Sequence, residues 1–269
     1  MSEEESVIRH YQSIHEEDRL SRGMGRLELL RTQEVLGRHL PATPARVADI
    51  GGGTGVHAAW LAQSGYQVHV VDLTPRHVDR VLATLGPLGV TAEVGDARHL
   101  NLEDQTFDAV LLLGPLYHLT DRSDRLATLT EARRVVRPSG VVAVAAISRF
   151  ASLFDGLARG FLFDPEFRSI VERDLAEGQH RNPGDKAHWF TTAYFHEPEN
   201  LRQEIEDVGL EVLDLVGLEG LAGWLENLDD RWEIEEERDT ILYSARAVER
   251  EPSVLGLSGH LLAMARAVE

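Results

Sequence analysis

The sequence contains no cysteine and a single lysine, Lys186. The first absence excludes disulfides, thiolate metal sites and a cysteine nucleophile. The second leaves only Lys186 for any Schiff-base chemistry. Basic residues are scarce as well: 27 Lys and Arg stand against 45 Asp and Glu, a formal net charge of -18. A surface of that sign repels phosphate backbones and anionic lipids, so neither nucleic acid nor a membrane surface is an expected partner. No stretch approaches the ~18 consecutive apolar residues of a membrane span. The opening residues, Met1–Glu5, are acidic and lead into no apolar segment, the reverse of a signal peptide's order. A cytoplasmic location is the expectation.

What is present is a chain of 269 residues with 43% hydrophobic content, enough for one large domain with insertions. The stretch "VADIGGGTGVHAAWLA", Val47–Ala62, runs an apolar segment into four glycines within five residues and then into a helical pattern. Glycine loses the most entropy on ordering, so this cluster points to backbone that must turn tightly and approach a ligand. Beyond it, strand-like runs alternate with helix-like ones: "QVHVVD", "TPRHVDRVLATLG", "VTAEVGD", "FDAVLLLG", "RSDRLATLTEARRVV" and "GVVAVAAIS". The strand runs are continuously apolar instead of alternating, as parallel strands covered on both faces require. The reading is an α/β fold with a doubly wound, mostly parallel sheet, whose ligands sit beyond the carboxyl ends of its strands.

Asp49, the glycines, Asp72 and Asp96 all fall at such ends. Asp72 follows Gly53 by nineteen positions, close to the ~20-residue spacing at which a carboxylate takes the ribose hydroxyls of a nucleoside. Gly53, Gly55 and Ala58 also satisfy the dinucleotide pattern G-x-G-x-x-A. The residues alone therefore leave a nicotinamide cofactor open. Asp49, inside the apolar strand end, is expected to brace the amides of the glycine loop.

The ordered set "VADIGGGTG", "VVDLT", "GDARHL", "FDAVLLLGPLYHL" and "RPSGVVAVAAI" resembles the successive motifs of class I S-adenosylmethionine-dependent methyltransferases over roughly residues 45 to 149. Alanine at 48 and glycine at 52 depart from the usual pattern, but no required glycine is lost. The resemblance implies a seven-stranded Rossmann-like sheet and S-adenosyl-L-methionine as cofactor, with S-adenosyl-L-homocysteine as product. It implies that Gly51 and Gly53 pass under the methionine part and that Asp72 binds both ribose hydroxyls. Leu73 would pack on adenine, Asp96 would accept the adenine amino group beside the Ala97 amide, and the backbone at Leu113 and Gly114 would face the sulfonium. The expected activity is methyl transfer to a small molecule or short peptide. The alternatives are an NAD(P)-dependent oxidoreductase, which lacks a Tyr-x-x-x-Lys pair here, and a non-catalytic S-adenosylmethionine-binding protein.

Four segments are expected: an N-terminal helical cap (1–45), the cofactor-binding core (46–148), a lid or substrate insertion (149–196), and a C-terminal completion of the sheet with a helical insertion (197–269). In the cap, Arg26 or Arg19 would meet the methionine carboxylate and Tyr11 would hydrogen-bond it. Tyr117 and His118, just after the fourth strand, are the candidate catalytic residues, because a histidine titrating near neutrality can take the proton that a nucleophile loses. The aromatic and histidine-rich lid, with Phe154, Phe161, Trp189, Phe190, Tyr194 and His196, offers an acceptor pocket or simply a lid core. No metal is expected: Asp121 and Asp124 read as helix capping, and activity should persist in chelator. Monomer and homodimer are both compatible with the pattern.

Overall fold

The computed structural model describes residues 20–183, 186 and 189–268. Tyr11 and Arg19 lie outside them. The chain contains helix α1 (Gly23–His39), strand β1 (Arg46–Ile50), α2 (Val56–Gln63), β2 (Gln67–Asp72), α3 (Pro75–Leu85), β3 (Thr91–Val94) and β4 (Phe107–Leu112). These are followed by α4 (Pro115–His118), α5 (Arg122–Val135), β5 (Val136–Ile147), α6 (Ala151–Ala158), α7 (Pro165–Glu177) and the short β6 (Gln179–His180) and β7 (Ala193–Tyr194). The chain closes with α8 (Pro198–Asp207), β8 (Leu210–Gly217), α9 (Leu228–Trp232), α10 (Glu235–Val248) and β9 (His260–Ala267).

Seven strands form one sheet in the order β3-β2-β1-β4-β5-β9-β8, while β6 and β7 pair separately. β1 runs parallel to β2 and β4, β2 to β3, and β4 to β5. The sheet is doubly wound, since the chain steps outward from β1 to β3 and then returns to place β4 on the other side of β1. Two further bonds fix the last strand. The Ser148 amide, just past β5, donates to the Gly259 carbonyl, and the Leu218 amide, just past β8, donates to the His260 carbonyl. The ends of both neighbours thus meet the start of β9, which runs against them.

Continuous burial explains the strand composition: Val47, Ala48, Ile50, Val70, Val71 and the run Ala109–Leu112 are within 1% of fully buried, as strands with helices on both faces demand. α3 begins with Pro75 at its first position and buries His77, Val78, Val81 and Leu85, one stripe at helical spacing.

By internal contacts the chain groups into two compact units. Among the described residues, one combines 33–145, 201–214 and 263–268; the other combines 20–32, 146–200 and 215–262. Within the second unit the expected lid segment has a core of its own. Phe167, Ile170, Val171 and Trp189 are buried together, with Phe161 packed against them. The histidine-rich stretch is fastened: His180 shares Nδ1 with Asp174 at 2.8 Å and directs Nε2 to the Trp189 carbonyl at 2.7 Å. His196 is fully buried, its amide donating to the Ile147 carbonyl.

Candidate cofactor site

The site develops from strand register. Ile50 lies opposite Val71, Asp49 opposite Leu111, and Asp72 opposite Val94. One step beyond these pairs, Gly51 is level with Asp72 and close to the level of Leu113, so the glycine loop, the β2 carboxylate and the end of β4 share one rim of the sheet. The Gly51 amide extends the ladder to the Val71 carbonyl at 2.6 Å.

Two glycines are dictated by geometry. Gly51 has φ +69°, and a Cβ on it would stand 2.5 Å from Pro115 Cγ. Gly53 has φ +54°, yet a Cβ there would meet nothing within 4 Å among the described residues. The first is a packing requirement; the second leaves open space above a left-handed backbone, the form a ligand-approaching turn takes. Gly114, at the end of β4, completes the contact, because a Cβ on it would come within 3.2 Å of the Gly51 carbonyl and 3.7 Å of the Tyr117 hydroxyl.

Asp72 is held by three donors. Its Oδ2 accepts the Gly53 amide at 2.8 Å, and its Oδ1 accepts the Thr74 amide at 2.9 Å and faces His77 Nδ1 at 3.0 Å. A carboxylate has about four acceptor sites, so the pinned side chain keeps room for a ligand donor. His77 was not foreseen in the sequence; its position in the first turn of α3, five residues after Asp72, is the signal that places it. Leu73 follows on the rim, half-buried.

Asp49 differs from the expectation. The Gly51, Gly53 and Gly55 amides bond to the Val71 carbonyl, Asp72 and the Gly52 carbonyl, so Asp49 braces none of them. It is 1% exposed, and its Oδ2 has no hydrogen-bond partner among the described residues. Burial, with a smaller contribution from the Asp72 charge, pushes its carboxyl up from 3.8 to about 7. Thr54 Oγ1, in the same loop, is likewise buried without a partner among the described residues. Two orphaned polar atoms under an open glycine turn are what a polar ligand would complete.

At the end of β3, Asp96 carries an unforeseen companion. Arg98 grips both its oxygens, Nη2 to Oδ2 at 2.6 Å and Nε to each at 3.0 Å, and extends Nη1 to Asp124 at 2.9 Å. That guanidinium holds the Asp96 carboxyl below its ordinary value. The half-buried Ala97 lies between the two. Asp124 is thus an ion-pair partner. Asp121 occupies the N-cap position of α5 but makes no side-chain capping bond there, so the capping reading of both residues is corrected.

Tyr117 and His118 close the short helix α4 that opens at Pro115 beside Gly51. Tyr117 is 9% exposed, and its ring meets the His118 ring edge-on at 4.6 Å between centroids. The turn after His118 is clamped by Arg125, which is 2% exposed. Its Nη1 donates to the carbonyls of Leu119 and Thr120, both at 2.9 Å, and its other nitrogens pair with the buried Glu204. Arg26, expected near the methionine carboxylate, lies on α1 in the other unit with Nη1 on Glu233 at 2.6 Å.

Residues 47–140 match the family model described as a methyltransferase domain. Among curated proteins, the chain is 36% identical over 145 residues to a demethylmenaquinone methyltransferase of Beutenbergia cavernae, covering 54% of this chain and 56% of that one. It is 29% identical over 160 residues to a ubiquinone biosynthesis O-methyltransferase of Xanthomonas campestris, covering 55% and 62%. The matched stretches thus span little more than half the length of these relatives. In fold it is similar to an S-adenosylmethionine-dependent methyltransferase from Mesorhizobium loti, with a TM-score of 0.59, 17% identity, and 89% and 99% of the two chains covered.

Proposed function

We propose that this chain is a class I S-adenosylmethionine-dependent methyltransferase, a reading that the methyltransferase-domain match and the curated relatives support, and that it transfers the methyl group of S-adenosyl-L-methionine to a small-molecule acceptor, releasing S-adenosyl-L-homocysteine. The observation that carries the reading is the clasp of the Gly53 amide on Asp72 across the β1 and β2 ends, beside an open left-handed turn and the orphaned oxygens of Asp49 and Thr54. The donor set fits the cofactor: a carboxylate for vicinal hydroxyls at Asp72, an apolar face at Leu73, and an acceptor for an exocyclic amine at Asp96 next to the Ala97 amide. Gly51 and Gly53 supply bare backbone for the amino-acid part, and Leu113 and Gly114 line the reacting end. Tyr11 and Arg26 are the residues expected to serve the carboxylate end. The names of the two curated relatives, which specify demethylmenaquinone and ubiquinone biosynthesis, support a small molecule over a short peptide as acceptor.

When bound, the cofactor supplies an electrophilic methyl on a sulfonium. The protein's part is to hold the acceptor atom in line with that methyl, exclude water and receive a proton. Tyr117, whose hydroxyl stands beside Gly114, would form the wall of the reacting end, and His118 on the same turn would be the base.

Calorimetry distinguishes this reading from a nicotinamide enzyme: S-adenosyl-L-homocysteine should bind with one-to-one stoichiometry and NAD should not, and the opposite result would overturn it. Asp72→Ala should weaken S-adenosyl-L-homocysteine binding about 100-fold, since it removes the hydroxyl acceptor and releases the amides of Gly53 and Thr74 together. An affinity within threefold of the original protein would remove Asp72 from the site. His118→Ala should lower turnover about 100-fold while leaving S-adenosyl-L-homocysteine affinity within a few-fold, because a base acts in the transition state. Equal losses in both would make His118 a brace for the β4 end instead. If a cofactor-binding protein turns over none of a broad acceptor panel, the non-catalytic alternative takes its place.

A further inference from the structure

The unit formed in part by residues 215–262 contains a second cluster of chemistry-bearing side chains, drawn from three distant parts of the chain: Glu28 on α1, Glu219 just past β8, and His260 at the start of β9. One ligand atom from each lies within 4.8 Å of the other two. His260 Nδ1 stands 2.6 Å from Glu219 Oε1 and 3.7 Å from Glu28 Oε2. Glu219 is fully buried, and its other oxygen is fixed by the Ser258 hydroxyl at 2.6 Å and the His260 amide at 3.0 Å. Ser258 Oγ is itself oriented by the amides of Glu219 and Gly220.

From this arrangement we infer a binding site for a first-row transition-metal dication with Glu28, Glu219 and His260 as its protein ligands. Two carboxylates converge on a single ring nitrogen. One N–H there can serve one of them well, whereas a dication takes the nitrogen lone pair and one oxygen from each carboxylate while neutralising the charge that burial of Glu219 makes costly. Ligands about 2.1 Å from a metal stand roughly 3.0–3.5 Å from one another. Seating the ion therefore asks Nδ1 and Glu219 to part, and Glu28 to close, by about half an ångström each. The backbone-anchored Ser258 is the kind of outer partner that orients a ligating carboxylate. One imidazole with two carboxylates suits Zn²⁺, Mn²⁺, Co²⁺ or Fe²⁺ better than Mg²⁺ or Ca²⁺, which favour oxygen alone, and three protein ligands leave a position open for an exchangeable one.

The site is separate from the methyl-transfer reading and is tested without turnover. Equilibrium dialysis of the full chain against Zn²⁺ and, separately, Mn²⁺ should show one saturable equivalent. Glu28→Gln and His260→Gln, both at half-buried positions, should weaken binding at least tenfold. Addition of Co²⁺ to the unaltered protein should give the intense visible absorption of a four- or five-coordinate ion, a readout that does not depend on how the variants fold. No saturable binding below about 1 mM, or equal affinity in folded variants, or a cobalt spectrum unchanged from the aqueous ion, would each overturn the assignment.

Discussion

Glu204→Gln should destabilise the protein by about 3–5 kcal/mol, the largest loss expected from any single exchange of a carboxylate for its amide here. Arg125 and Glu204 are 2% and 3% exposed, and their contact is bidentate, with Nη2 to Oε1 at 2.7 Å and Nε to Oε2 at 2.9 Å. Neutralising one partner leaves a guanidinium charge buried without its counter-charge, and that uncompensated charge is the source of the cost. The urea midpoint reads it directly. The double variant Arg125→Met with Glu204→Met separates two roles of the pair. With both charges gone, most of the stability should return, as in other buried pairs replaced by apolar residues. The carbonyls of Leu119 and Thr120, however, lose the Nη1 donor that now holds them. The turn behind His118 should then be loose, and turnover should stay low in a protein that is again stable. A cost under about 1 kcal/mol for Glu204→Gln would show that the site hydrates or relaxes around the exposed charge.

The parts of the fold that were legible in the sequence share a physical cause. β1, β2 and β4 are short continuous apolar runs punctuated by glycine and acidic residues, and each of those signals is local. The cofactor motif is legible for the same reason: Gly51, Gly53 and Asp72 lie within two strands of one another, so spacing alone places them on a common rim. The Arg125–Glu204 pair joins residues 79 apart, and neither residue carries a mark that separates it from the many solvated charges of an acidic chain. Glu28, Glu219 and His260 are scattered in the same way. Arg98 lay closer to hand, two residues after Asp96, but an arginine there reads equally as a solvent-facing side chain until the turn at Ala97 folds it back. The contact units interleave, because β8 and β9 return to the sheet after long excursions and carry residues 201–214 and 263–268 back beside the core.

Asp49→Asn should change the pH dependence of stability more than any other substitution in the cofactor site. Buried with an unpartnered Oδ2, Asp49 holds its proton in the native state up to about pH 7, whereas in the unfolded chain it releases it near 3.8. Between those two values the native state binds more protons than the unfolded one, so stability falls as pH rises through the window. At about 1.4 kcal/mol per unit, roughly three units amount to about 4 kcal/mol lost by pH 8 in the ligand-free protein. Asparagine has no charge to bury, so the stability of the variant relative to the unaltered protein should be lowest near pH 4 and rise up to pH 7. The amide's own unmet hydrogens cost about 1–3 kcal/mol, which leaves the variant ahead by about 2 kcal/mol at pH 8. Subtracting the two stability curves isolates Asp49 from the other groups that titrate in the same range, among them Asp155, which burial also raises, and His69, which burial lowers. Binding should respond in the opposite direction. If the orphaned oxygen accepts from a cationic or hydrogen-bonding group of the cofactor, S-adenosyl-L-homocysteine should bind the unaltered protein more tightly at pH 8 than at pH 6, and Asp49→Asn should abolish that trend along with part of the affinity. Stability curves that superimpose from pH 4 to 8 would mean that Asp49 is ionised and solvated in the folded protein, and that the acidic residue ahead of the glycine loop contributes shape to the turn without contributing charge.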